Sequence, residues 1–173
     1  MLPAAHALVS ELLEEAATTR RVLERVPEDR FAWQPHGKSM TLGQLALHIA
    51  NIPGAISRLS ALDGVDVSTL KFEAPHPTTH ADLLRTFDES IASAKSFLSG
   101  LDETTAAAPW TMRAGARELF SVPRIGLMRR LALNHWYHHR GQLTVYLRLI
   151  GVNVPVVYGR SADENPFDAE LAS

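Results

Sequence analysis

Four stretches of this chain repeat apolar residues every three to four positions, and that period most narrows the folds open to it. Such spacing puts one apolar stripe on a helix, whereas a half-buried strand would need strict alternation. The first stretch runs from about Pro3 to Val26, with Leu8, Leu12, Leu13, Ala16 and Leu23 on one side. Glu11, Glu14, Glu15, Arg20 and Arg21 face the other way, and Pro27 ends the pattern. The second runs from about Thr41 to Leu62. Thr41-Leu-Gly-Gln44 has the spacing of a capping box, and Leu45, Ile49, Ile52, Ile56 and Leu59 share a face. Pro53 falls inside this helix, where it removes the amide that would bond the Ile49 carbonyl. The third runs from about Thr79 to Leu98, with Gly100 as its C-cap.

Residues 101–121 are mixed and read as a short hairpin or irregular insertion. The fourth helix is expected from about Val122 to Ile150, with Pro123 in its first turn and Gly151 just past its end. Residues 152–173 are rich in Pro, Gly, Asp and Asn and read as a tail packed over the helices. These elements predict an all-α four-helix bundle with a short insertion before the last helix. A length of 173 residues suits a single domain, 1–173.

The chain has no cysteine, which rules out disulfides, thiolate ligands and an intrinsic thiol nucleophile. It also suits a reducing cytoplasm, the expected location. A net charge of −2 gives no reason to expect nucleic-acid binding. Arg129, Arg130, Arg140 and Arg148 cluster on one helix and read as a solvated face. No leader-like or membrane-spanning run is visible, so no membrane partner is expected.

Eight histidines is a high count, and their placement matters most. On the fourth helix, His135 and His139 lie one turn apart, about 40° from one another. That spacing lets two imidazoles reach one ion. With Leu131 taken as zero, both fall on the stripe that also carries Gln142, Tyr146 and Leu149, which reads as the buried one. Burial of an unpartnered imidazole is costly, and coordination removes that cost. His138, about 60° from His135 on the same wheel, leaves a His135–His138 pair open. Such pairs also arise as plain surface or core contacts, and spacing alone does not decide between these readings. A third ligand would have to come from elsewhere; His48 lies at the edge of the second helix's apolar stripe, where it could equally bond a carbonyl. His36, His76 and His80 fall in loops or at a helix start and His6 near the first residue, and all four read as exposed. Gln142 is a candidate to orient a ligand or bound water. Arg140 points away from the histidine stripe, towards a carboxylate on a neighbouring helix or subunit. Tyr158, Asp163 and Glu164 in the tail are candidates to close the site.

His135-x-x-x-His139-Arg-Gly-Gln142 resembles the signature of the DinB/YfiT-like metalloenzyme superfamily. Leu45-Ala-Leu-His48-Ile stands in the place of that family's first histidine, and Gly151-Val-Asn-Val-Pro-Val-Val-Tyr158 through Glu164 is similar to the segment after its last helix. The resemblance implies an up-down-down-up four-helix bundle, often a homodimer. It also implies a divalent ion, usually zinc or nickel, held by His48, His135 and His139. His138, beside the pair, becomes a second-shell or interface candidate. Relatives that use low-molecular-weight thiols include S-transferases and an isomerase. The expected function is therefore a metal-dependent transferase, isomerase or hydrolase acting on a small molecule, possible thiol cosubstrate included. Its reactive group would be a metal-bound water or thiol rather than a side chain. A metal-containing bundle that binds a ligand without turnover is the alternative.

Overall fold

Each long helix begins and ends on residues suited to a helix terminus. The computed structural model describes residues 2–70 and 75–167. Helix α1 (Pro3–Leu23) opens on a proline, which lacks the amide that would go unbonded there. Helix α2 (Leu42–Ser60) opens on the expected capping box. The Gln44 amide donates to Thr41 Oγ1 at 3.2 Å, and the Thr41 amide donates to Gln44 Oε1 at 2.9 Å. Helix α3 (His80–Ser99) opens on Thr79, whose hydroxyl oxygen accepts the Asp82 amide, and closes on Gly100.

Helix α2 runs through Pro53 without a break. It lies so close to α3 that a Cβ on Gly54 would sit 2.9 Å from Ser90 Cα. The Gly54 amide donates to Ser90 Oγ across that contact at 2.8 Å. Helix α2 packs on α3 and on the last helix, and α1 packs on the same two. Leu12, Ile49, Leu83, Phe87, Trp136 and Leu147 lie in the core between them.

The insertion between α3 and the last helix holds more order than a loop. Asp102 caps a short helix, α4 (Glu103–Ala107). Strands β2 (Pro109–Ala114) and β3 (Arg117–Pro123) then pair antiparallel around Gly115, whose φ of +59° favours glycine. This is the hairpin reading of the insertion. A third strand, β1 (Gly64–Asp66), adds in parallel to β2, giving the order β1-β2-β3. The chain is thus mostly helical with a small three-stranded sheet, and the all-α expectation is corrected to that extent. Trp110 fixes the sheet to α2: its ring is buried and its Nε1–H donates to the Leu59 carbonyl at 2.9 Å.

The last helix starts two residues later than expected, because Val122 and Pro123 complete β3. It opens as α5 (Arg124–Leu127), widens into a π-helical stretch (Met128–Asn134) and continues as α6 (His135–Leu149). Its end is a Schellman motif: the Val152 amide bonds the Leu147 carbonyl at 2.9 Å and the Gly151 amide that of Arg148 at 3.1 Å. Gly151 takes the required positive φ, +76°.

Beyond it the chain returns over α1 and α6. Val154 is buried, Asp163 accepts the Val154 amide and pairs with Arg148, and Glu164 pairs with Arg21 and Arg25. The remainder of the expected tail, 168–173, lies outside the described residues.

Candidate metal centre

Helix α6 buries Trp136, Arg140, Leu143 and Leu147. Leu149, by contrast, is 61% exposed, and Gln142 is exposed too. The stripe drawn through Leu131, Gln142 and Leu149 is therefore the flank of the helix, not its buried face. Two features misdirect the wheel. Arg140 occupies a core position that polarity assigns to solvent. Leu131, the chosen origin, sits in the π-helical stretch, where a turn holds more residues than the α-helical step assumes. His135 and His139 consequently stand at the margin of the core, half-buried. A small molecule could reach them there.

The structure brings these two onto His48 of α2. Their ligating nitrogens all lie within 4.8 Å of one another. His135 Nε2 and His139 Nε2 are 2.8 Å apart. The ring of His48 stands edge-on to both, with centroids 5.2 Å from His135 and 4.6 Å from His139. Among the described residues this is the one cluster of three or more metal-ligating side chains. Tetrahedral zinc with Zn–N bonds of about 2.0–2.1 Å holds its nitrogens roughly 3.3 Å apart. Small side-chain rotations would bring the three into that range.

Burial pushes the His48 imidazole down to about 4, helped by the neighbouring His139 and His135. His135 is lowered by burial first and then by His139 and His138, while the Leu131 carbonyl opposes weakly. His139 is lowered by burial; its bond to Gln142 opposes, and His138 adds to the lowering. All three rings are therefore neutral near pH 7, the form that binds a metal. The donor set fits a divalent ion: three neutral imidazoles, with no carboxylate in the group and no cysteine in the chain.

The hydrogen bonds also set the tautomers. Gln142 Oε1 accepts from His139 Nδ1–H at 2.7 Å, which leaves Nε2 of His139 with its lone pair. His135 Nε2–H must then donate across the 2.8 Å contact. That leaves His135 Nδ1 buried with no partner at hydrogen-bonding geometry.

The other candidates separate clearly. His138 is exposed and touches only the ring edge of His139, centroids 4.9 Å apart, so it lies outside the cluster. His6, His36 and His76 are exposed, as expected, but His80 is half-buried and its Nε2 meets the Leu23 carbonyl at 3.0 Å. Arg140 is not on a solvated face: it is 2% exposed and paired with Glu15 at 2.6 Å, the neighbouring-helix carboxylate expected of it. Tyr158, Asp163 and Glu164 bond to groups on α1, on α6 and within the tail itself, none of them a cluster histidine. Tyr146, expected on the histidine stripe, meets the ring of Trp33 edge-on at 5.7 Å, a pairing that sequence reasoning did not find. They come from a loop and from α6, and no local pattern joins them.

Comparison with known proteins points one way. The uncharacterized protein YrdA of Bacillus subtilis (strain 168) is 25% identical over 154 residues, covering 87% of this chain and 85% of YrdA. The fold matches a DinB-like protein, YjoA, from Bacillus subtilis, with a TM-score of 0.66 at 21% identity, covering 90% of this chain and 99% of that one. It also matches a DinB-like protein from Bacillus cereus ATCC 10987, with a TM-score of 0.67 at 22% identity, covering 88% and 97%. The DinB family profile matches residues 1–166, and the chain belongs to the DinB family.

Proposed function

We propose that this protein is a divalent-metal-dependent enzyme acting on a small molecule, with His48, His135 and His139 as the metal ligands. The observation that carries the reading is the meeting of three neutral, half-buried imidazoles from two helices at one point. Three histidines with a free position are the pattern of a catalytic zinc site rather than a closed structural one. Zinc or nickel suits imidazole donors. When bound, the ion supplies Lewis acidity to a water or thiol at that free position.

The chain's own residues then have limited tasks. His48 holds the ion from α2, and His135 and His139 hold it from α6. Gln142 orients His139. With no cysteine in the chain, any sulfur chemistry needs an external thiol. We read the reaction as that of a thiol-dependent S-transferase or isomerase, on the family resemblance alone, with a metal-dependent hydrolase as the alternative use of the same position. We also take the four long helices to be one up-down-down-up bundle domain that forms a homodimer, working in the reducing cytoplasm. Among the described residues no helix is long and apolar enough to cross a membrane.

The test is turnover of small electrophiles with a panel of low-molecular-weight thiols, alongside ester and amide substrates without thiol. Activity that needs zinc or nickel and disappears in His135→Ala supports the reading. Tight metal uptake with no turnover would instead make the protein a metal-containing ligand-binding bundle.

A further inference from the structure

A buried guanidinium with several partners lies on the side of α6 turned away from the histidines. Arg140 is buried between α6, α1 and the tail. Its Nη1 donates to Glu15 Oε2 at 2.6 Å, to the Glu15 carbonyl at 3.3 Å and to Thr19 Oγ1 at 3.0 Å. Its Nη2 donates to the Tyr158 hydroxyl, which in turn donates to Glu15 at 3.1 Å. The rings of Tyr137 and Tyr158 flank the guanidinium, with centroids 5.3 and 5.0 Å away. Burying such an ion pair gains little stability over well-packed apolar side chains, so stability alone does not explain it. Its directional bonds can fix one helix register, which is the best-attested use of a buried polar group.

Helix α6 needs such a fix. Upstream, the π-helical stretch Met128–Asn134 departs from the α-helical step, so His135 does not take the rotation that an α-helix continued from α5 would give it. On the histidine side, Gly141, Gln142, Val145 and Leu149 are exposed, and beyond the histidine rings themselves the helix is held by half-buried Tyr146, whose ring meets Trp33 and whose hydroxyl donates to the Met40 carbonyl at 3.3 Å. Of the buried residues Trp136, Arg140, Leu143 and Leu147, only Arg140 makes side-chain hydrogen bonds. Rotation matters: a ligating nitrogen roughly 6 Å from the helix axis moves about 1 Å for a 10° turn. A working site tolerates about 0.5 Å.

We propose that Arg140 is a positioning residue for the histidine cluster: its bonds to Glu15, Thr19 and Tyr158 set the rotation of α6 that presents His135 and His139 to His48. This rests on the metal-site reading above, but it also makes a claim about the metal-free protein. The decisive variant is Glu15→Gln with Arg140→Met, which removes the directional pair without leaving a buried charge. A core lesion on the same face, Leu143→Val, serves as the stability control.

Zinc affinity is measured by competition with a chromophoric chelator, and cobalt is added to read coordination from its visible spectrum. The double variant is expected to bind zinc at least tenfold more weakly and to give an altered cobalt spectrum, while Leu143→Val keeps wild-type affinity at equal or greater loss of Tm. Arg140→Lys should recover part of the affinity. In the metal-free protein, ring-proton NOEs from His48 to His135 and His139 should weaken in the double variant alone. Wild-type affinity and unchanged ring contacts in the double variant would overturn the proposal. So would an affinity that tracks Tm across all variants. If the wild type took up no metal, the metal reading would fall, and the ring contacts would still decide the role of Arg140.

Discussion

Gln142→Ala is a clean perturbation of the cluster, because Gln142 touches it through one bond from an exposed position. Its Oε1 accepts the His139 Nδ1 proton at 2.7 Å, which keeps Nε2 of His139 free for a metal. Removing an outer-shell partner of this kind typically costs 10–100-fold in metal affinity. The low end applies here, since water can replace the amide oxygen at an exposed position. About tenfold is expected, or roughly 1.4 kcal/mol. Folding stability should hardly move, because an exposed substitution on a helix usually changes it by less than about 0.5 kcal/mol. Gln142→Glu should go the other way: a carboxylate accepts the same proton more strongly and makes His139 the better ligand. Zinc competition titrations of the three proteins, with Tm measured on the metal-free forms, provide the assay. An Ala variant within twofold of wild type, or a Glu variant weaker than Ala, would refute the role given to this bond.

Three further outcomes follow from the packing and the charges. Gly54→Ala should destabilise by about 1–3 kcal/mol in urea unfolding, since its Cβ would lie 2.9 Å from Ser90 Cα. Helix propensity alone would stabilise it by up to about 1 kcal/mol, so the sign of the change decides which effect wins. Tyr158→Phe removes the hydroxyl shared by Arg140 and Glu15 and should lower Tm by a few degrees, for a loss of about 1 kcal/mol. The metal-free protein should lose stability as pH falls from about 6.5 towards 4, because the folded state holds His48 down at about 4 and the unfolded chain takes up the proton first. That stability is fully present above pH 6.5, and the slope of Tm in this window should flatten in His48→Gln.

Much of the fold was legible where local chemistry decides it. The capping box at Thr41 and Gln44, the glycine stop at Gly151 and the turn at Gly115 all carry their own signals. The strand β1 does not: three residues pair with β2 more than forty positions later, and no local period announces that. The core face of α6 was misplaced because a buried Arg140 looks like surface and because the π-helical stretch upset the chosen origin. The histidine cluster was still found, since the spacing of His135 and His139 depends only on α6 itself. His48 was already a candidate at the edge of the apolar stripe of α2, and the family resemblance chose it over the carbonyl-bonded reading.

Metal content bears most directly on the central claim. Protein purified without a histidine tag would be analysed for bound metals as wild type and as His48→Ala, His135→Ala, His138→Ala and His139→Ala. Wild type and His138→Ala should carry one divalent ion per chain, and the other three should lose it. Added zinc or nickel should raise Tm only in the first two. A metal-free wild type that neither ion stabilises would contradict the claim, as would loss of metal in His138→Ala with retention in His139→Ala.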